Sequence, residues 1–307
     1  DKLGEGGFGI VWRARQTVTL DRLVALKIIK AGMDSEQVIA RFNVERQALA
    51  KMDHPGIAHV LDAGATDRGR PYFVMELVDG PSITAFCDLF QLPVVDRIRL
   101  FIEVCLAVQH AHQKGILHRD LKPSNILVIK VDGVPRPKII DFGIAKAMEQ
   151  EAAENSQDSF EGLTQADQVI GTPAYMSPEQ ALSDGLDVDT RADIYTLGVI
   201  LFELLTGRTP LEEATLRRLP MHAALDYVRR TEAPRPSTII SQYAELPRRQ
   251  LALQRRTDGV SWLATLKGDL DWITLRALEH DRDRRYPSAA ELAADLTRCL
   301  NNEPVLA

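Results

Sequence analysis

The chain has 307 residues, 45% of them hydrophobic and 26% charged, which fits a folded chain of about two lobes and excludes fibrous, collagen-like and largely disordered classes. Lys and Arg number 37 against 43 Asp and Glu, a formal net charge of −6, so no nucleic-acid partner is expected. Cys87, Cys105 and Cys299 are widely spaced, with no C-x-x-C, which argues against a disulfide scaffold or zinc site and for a reducing, cytoplasmic setting.

In chain order, the first third reads as short strands around one helix. Gly4, Gly6, Gly7 and Gly9 make a glycine-dense turn, and residues 23–29 are an apolar strand signal. Asp34 with Gln37 predicts a helix start, and Val38, Phe42 and Leu49 share one face of a helix ending near Met52. Residues 58–61 and 72–75 predict two further strands, and Asp79-Gly80-Pro81 has the composition of a hinge. We divide the chain there, into a small lobe over 1–78 and a larger lobe over 79–307.

Beyond residue 82 the apolar period becomes helical. Ile98, Ile102, Cys105 and Val108 form one stripe, and residues 194–205 are apolar on nearly every face, as in a buried central helix. Residues 150–167 are polar and predict a mobile loop; residues 211–267, with Pro234, Pro236 and the pairs Arg248/Arg249 and Arg255/Arg256, predict an irregular extension whose arginines face solvent. Residues 130–137 form an unusually long connection of no evident purpose. No run reaches the ~20 apolar residues of a membrane span. The chain opens at Asp1 without a leader pattern, which predicts a segment of a longer protein, any membrane tether lying outside it.

The chemistry begins with Gly4-x-Gly6-x-x-Gly9-x-Val11, a turn that brings backbone close to phosphate oxygens. Alone it is ordinary, and the strand containing Val24, Ala25, Leu26 and Lys27 that follows it argues against a dinucleotide site. A lysine inside an apolar strand must find an anion, and Glu45 on the predicted helix is the candidate. His118-Arg119-Asp120-Leu121-Lys122-Pro123-Ser124-Asn125 follows, and 16 residues after Asn125 comes Asp141-Phe142-Gly143. Each motif alone is weak; the ordered set is specific.

That set resembles the eukaryotic-like Ser/Thr protein kinases of bacteria over essentially the whole chain. The resemblance implies an α+β, protein-kinase-like bilobal fold, with a small antiparallel β-sheet lobe carrying one helix and a larger, mainly helical lobe. It implies ATP and Mg²⁺ as cofactors and protein Ser/Thr hydroxyls as substrates. Lys27 would hold the α- and β-phosphates and Glu45 would hold Lys27; Asn125 and Asp141 would hold the metal; Asp120 would orient the substrate hydroxyl, with Lys122 beside the transferred phosphoryl group. The ATP site would comprise Leu3, Gly4, Glu5, Gly6, Gly7, Phe8, Gly9 and Val11 with Ala25, Met75, Glu76, Val78 and Leu127. Met75 sits at the gatekeeper position and is equally readable as core.

Asp-x-Lys-Pro-x-x-Asn, here Asp120 to Asn125, is the Ser/Thr form, and Thr172 would help dock substrate. Asp193 and Gly198 match the family residues supporting the catalytic loop, Arg285 the partner of Glu179, and His118 is read as structural. Ser177 replaces the alanine of Ala-Pro-Glu, Leu26 the isoleucine of Val-Ala-Ile-Lys, and the first strand is short. The segment 141–179 would be the activation segment, with Thr164 and then Ser159 as autophosphorylation sites, modified in trans by a second copy. A catalytically silent pseudokinase scaffold is the alternative, and it usually shows a loss at the strand lysine, catalytic Asp or metal Asp; none is lost.

Overall fold

Runs of β-branched and alternating residues build five strands early in the chain: β1 (Lys2–Glu5), β2 (Gly9–Gln16), β3 (Arg22–Ile29), β4 (Val60–Ala65) and β5 (Pro71–Glu76). They form one antiparallel sheet in the order β1-β2-β3-β5-β4. The computed structural model describes residues 1–5, 9–17, 21–29, 52–67, 69–142, 173–182 and 188–307. Several expectations lie outside those residues: the helix over 34–51 with Glu45, the stretch 150–167 with Ser159 and Thr164, and Gly6, Gly7, Phe8, Gly171 and Thr172.

The strand expected at 58–61 begins at Val60 and runs on to Ala65. Asp62 and Gly64 hide it in the sequence, because β4 is an edge strand with an irregular register between Val60 and Asp62.

The larger lobe starts with α1 (Ile83–Leu89), capped by the Ser82 hydroxyl, and α2 (Val94–Gln113). Ile98, Cys105 and Val108 are buried on α2 as the stripe requires. Next comes a hairpin of β6 (Ile126–Val131) and β7 (Val134–Ile139). Its tip is Asp132-Gly133 with φ 51° and 80°, the two positive values a tight primed turn needs. The long connection at 130–137 is this hairpin tip.

The expected central helix is α3 (Thr190–Thr206), with the Asp189 side chain accepting from the Arg191 N–H and Gly207 left-handed at its end. A Cβ on Gly198 would stand 2.9 Å from the Ala277 Cβ, so glycine here permits close helix approach.

Residues 211–267 correct the sequence reading. They hold five short helices: α4 (Glu213–Arg218), α5 (Met221–Arg230), α6 (Pro236–Gln242), α7 (Glu245–Leu253) and α8 (Gly259–Leu266). Prolines that look like breakers stand at helix starts, Pro220 before α5 and Pro236 at the head of α6. On α5 Met221, Ala224, Leu225 and Val228 fall at i, i+3, i+4 and i+7, a helical stripe that the sequence reading missed; the other four helices are only six to nine residues long. Helices α9 (Asp269–Ala277) and α10 (Ala289–Leu300) close the lobe.

Arg255 also departs from expectation: it is 1% exposed, while Arg249 and Arg256 are exposed and Arg248 half-buried. It donates from Nε to the Leu205 carbonyl at 3.0 Å and from Nη2 to the Leu204 carbonyl at 3.2 Å. Trp262 Nε1 donates to the same Leu205 carbonyl at 3.1 Å, and Arg97 Nη1 to the Leu204 carbonyl at 3.4 Å. The carbonyls that end a helix lack intrahelical donors; here two arginines and a tryptophan supply them. Burial, helped by the charge of Arg97, pulls the Arg255 guanidinium down to about 9.

Candidate active site

The sheet sets the first half of the site. Antiparallel pairing puts Val11 opposite Lys27 and Ala25 opposite Met75, while Gly4 faces Val11 across β1 and β2. Lys27 is largely buried, and its ammonium reaches across to donate to Asp141 Oδ1. A lysine in an apolar strand is thus tolerated because a carboxylate from the other lobe meets it. Asp141 is held in the left-handed region, φ 59°, at the end of β7.

Glu76 turns its carboxylate to Lys138 Nζ, at 2.6 and 2.7 Å, and to the ring of His59 at 3.2 Å. Burial would raise its pKa, but the hydrogen bonds from Lys138 and His59 outweigh it and leave the carboxyl below its usual value. Leu127 pairs with Lys138 in the hairpin, and its backbone bridges to Ser82. Met75 packs, partly buried, against the main core.

The loop at 118–125 is pinned from beneath by α3. Asp193 accepts from the backbone N–H of His118 at 2.8 Å and of Arg119 at 2.9 Å, and contacts His112 Nε2 at 2.8 Å. Burial opposes its charge, but these hydrogen bonds and the two histidines hold the carboxyl below its usual value. His118 is fully buried, its ring 4.7 Å from that of Phe142 and its Nε2 3.3 Å from the Ile140 carbonyl. Burial pulls its pKa down, which fits a packed ring.

Above this floor Lys122 Nζ donates to Asp120 Oδ2 at 2.9 Å, and Asn125 Nδ2 to the Asp120 carbonyl at 2.8 Å. The Asn125 nitrogen is committed to that carbonyl, so its amide oxygen is the atom left to face a cation.

A third segment, residues 173–182, closes against the loop. Arg285 makes a two-pronged pair with Glu179, 2.6 and 2.8 Å, with its side chain fully buried. Thr196 Oγ1 donates to the Tyr175 carbonyl at 3.0 Å, and Tyr175 donates its hydroxyl to Glu203 Oε2 at 2.6 Å. Burial pushes the Glu203 carboxyl up to about 7, against the Tyr175 hydrogen bond and with Glu213 and Asp88 adding to the rise.

A carboxyl raised from 4.5 to about 7 holds its proton more tightly folded than unfolded. Its contribution to stability is therefore complete below about pH 4.5 and is lost as pH rises through about 7. Glu203→Gln is expected to flatten the fall in stability across that window, read by denaturant unfolding at several pH values. Parallel curves for the two proteins would rule the assignment out.

The structure brings Lys27, Asp120, Lys122, Asn125 and Asp141 to the junction of sheet and helical lobe. Sequence reasoning missed Lys138 as the partner of Glu76, and Gln180. The second had a signal: Ser177-x-x-Gln180 has capping-box spacing.

Residues 1–267 match the family model described as the protein kinase domain. The chain is 36% identical over 308 residues to serine/threonine-protein kinase PknB of Mycobacterium tuberculosis, covering 98% of this chain and 42% of that protein. It is 35% identical over 300 residues to serine/threonine-protein kinase pkn3 of Myxococcus xanthus, covering 96% and 48%. It therefore spans less than half the length of these curated relatives. The crystal structure of the M. tuberculosis PknI kinase domain superposes with a TM-score of 0.63 at 26% identity, covering 99% of this chain and 94% of that one.

Proposed function

The chain belongs to the protein kinase family, and from that premise we propose that it transfers the γ-phosphate of ATP to Ser or Thr hydroxyls of protein substrates. The observation that carries the reading is the meeting of Lys27 with Asp141 across the lobes, beside the Asp120–Lys122–Asn125 cluster. In this reading Lys27 holds the α- and β-phosphates, and Val11, Ala25, Met75, Val78 and Leu127 line the adenine site. Gly4 and Gly9 flank the phosphate turn. Asp120 orients the attacking hydroxyl, and Lys122 faces the charge that develops on the transferred group.

Mg²⁺ fits the donor set: a carboxylate from Asp141 and an amide oxygen from Asn125 are hard ligands. No group of three or more His, Cys, Asp and Glu gathers as a metal site among the described residues. Phosphate oxygens and water would complete the coordination of a cation held by the Asp141 and Asn125 side chains. Bound there, Mg²⁺ would neutralise charge on the phosphates.

Thr172 is proposed to help dock the substrate, Glu45 to hold Lys27, and Thr164 and Ser159 to be autophosphorylated in trans between two copies. The free thiols of Cys87 and Cys105 are buried and favour a reducing, cytoplasmic setting; no helix among the described residues is long and apolar enough to cross a membrane.

The test is transfer of labelled γ-phosphate to the protein itself and to a generic basic protein. Wild type is expected to label Ser and Thr, Thr164 foremost by mass spectrometry, with Lys27→Met and Asp141→Asn silent. A wild type that binds ATP yet labels nothing would favour the scaffold.

A further inference from the structure

Four contacts meet at Gln180, the residue after Glu179. Its Oε1 accepts from the Ser177 backbone N–H and from Ser177 Oγ, both at 3.1 Å, and its own N–H donates to Ser177 Oγ at 3.4 Å. Its Nε2 donates to the Arg119 carbonyl at 3.2 Å. The orientation of the amide is not arbitrary: reversed, it would set NH₂ against a backbone N–H and oxygen against a carbonyl.

The first set of contacts is a capping box, the serine and glutamine of an S-x-x-Q turn serving each other's backbone. A glutamate would serve a box equally well. The contact to Arg119 is different, because only the amide can donate there.

What it holds matters. Arg119 sits in the left-handed region, φ 60°, and its carbonyl belongs to the peptide unit that carries Asp120. The N–H of that unit donates to the His118 carbonyl at 2.8 Å, so Gln180 fixes the other end of the same plane. The preceding N–H groups are held by Asp193 on α3. Gln180 is in turn anchored by Ser177, which is fully buried, and follows Glu179, clamped by Arg285.

We propose that Gln180 is a positioning residue: it ties the turn at 173–180 to the peptide plane that aims Asp120, and Ser177, in place of the family's alanine, completes the tie. This rests on the kinase reading above. Substrate-side order at 173–180 is thereby transmitted to the proton-accepting carboxylate by one side-chain amide.

The experiment compares Gln180→Glu, Gln180→Met and Asp120→Asn with wild type in the full protein. Gln180→Glu keeps the acceptor for Ser177 but loses the donor to Arg119; Gln180→Met loses both. We expect both to lower kcat by about tenfold, the worth of one well-placed hydrogen bond, with KM for ATP within twofold. Gln180→Glu, which keeps the capping box, is expected to lower the thermal midpoint only modestly, and both variants to speed amide exchange over residues 118–121.

A Gln180→Glu enzyme with wild-type kcat would mean a capping box alone and overturn the proposal. So would unchanged exchange in both variants, or a rise in KM for ATP matching the loss in kcat. A wild type as silent as Asp120→Asn would instead overturn the kinase reading, and the exchange measurement still decides whether Gln180 orders the loop.

Discussion

Asp120→Asn is expected to lower phosphoryl transfer by about 10²–10⁴-fold while leaving ATP affinity and the fold in place. The geometry supports both halves. Asp120 Oδ2 is set by Lys122 at 2.9 Å, and the backbone around it is held by Asp193, which the substitution does not touch. An asparagine has nearly the same shape and still offers an oxygen to Lys122, but it cannot accept the proton of an attacking hydroxyl. The loss should therefore fall in kcat, with KM for ATP little moved, since in the proposed reading the phosphates would be held by Lys27 and Mg²⁺ rather than by Asp120. A variant within about threefold of wild type would remove Asp120 from the reaction and shift the search for a proton acceptor elsewhere.

Arg285→Ala is expected to cost about 3–5 kcal/mol of stability, the range for breaking a buried ion pair from one side. The guanidinium is fully buried and does more than pair with Glu179. It donates from Nε to the Glu279 carbonyl at 2.6 Å, from Nη1 to the Arg191 carbonyl at 2.9 Å and from Nη2 to the His280 carbonyl at 3.1 Å. Alanine strands the Glu179 carboxylate and these carbonyls together. Replacing both partners, Arg285→Met with Glu179→Met, should recover part of the loss, because it removes the stranded charge. Urea unfolding of the single and double variants measures this; a double variant less stable than Arg285→Ala would contradict it.

The site was more legible in the sequence than the fold around it. Asp120, Lys122, Asn125 and Asp141 stand in short motifs whose spacing is imposed by chemistry, so each could be named before the loop was seen. Arg285 and Glu179 lie 106 residues apart, and nothing in composition or period joins them; the family pattern did. Arg255 misled because a charged side chain in an arginine-rich stretch reads as surface, and only the unmet carbonyls of α3 reveal what it serves. Most helices of 211–267 were hidden by brevity, but α5 was not: Met221, Ala224, Leu225 and Val228 carry a helical stripe that the neighbouring prolines and arginines obscured. Residues 130–137 did carry a hairpin signal, Asp132-Gly133 between paired valines, and it was readable as such.

The capped end of α3 bears on how the protein could be shortened. Residues 245–266, two short helices outside the catalytic loop and the central helix, look like the obvious part to cut when seeking a smaller catalytic unit. Yet Arg255 and Trp262 within them are what the last turn of the central helix leans on. Excision would leave Arg97 at the Leu204 carbonyl and Tyr243 at the Thr206 carbonyl, but would remove both Arg255 and Trp262 from the Leu205 carbonyl. The segment carries none of the catalytic motifs yet holds the end of the central helix, and trimming the chain must begin somewhere else.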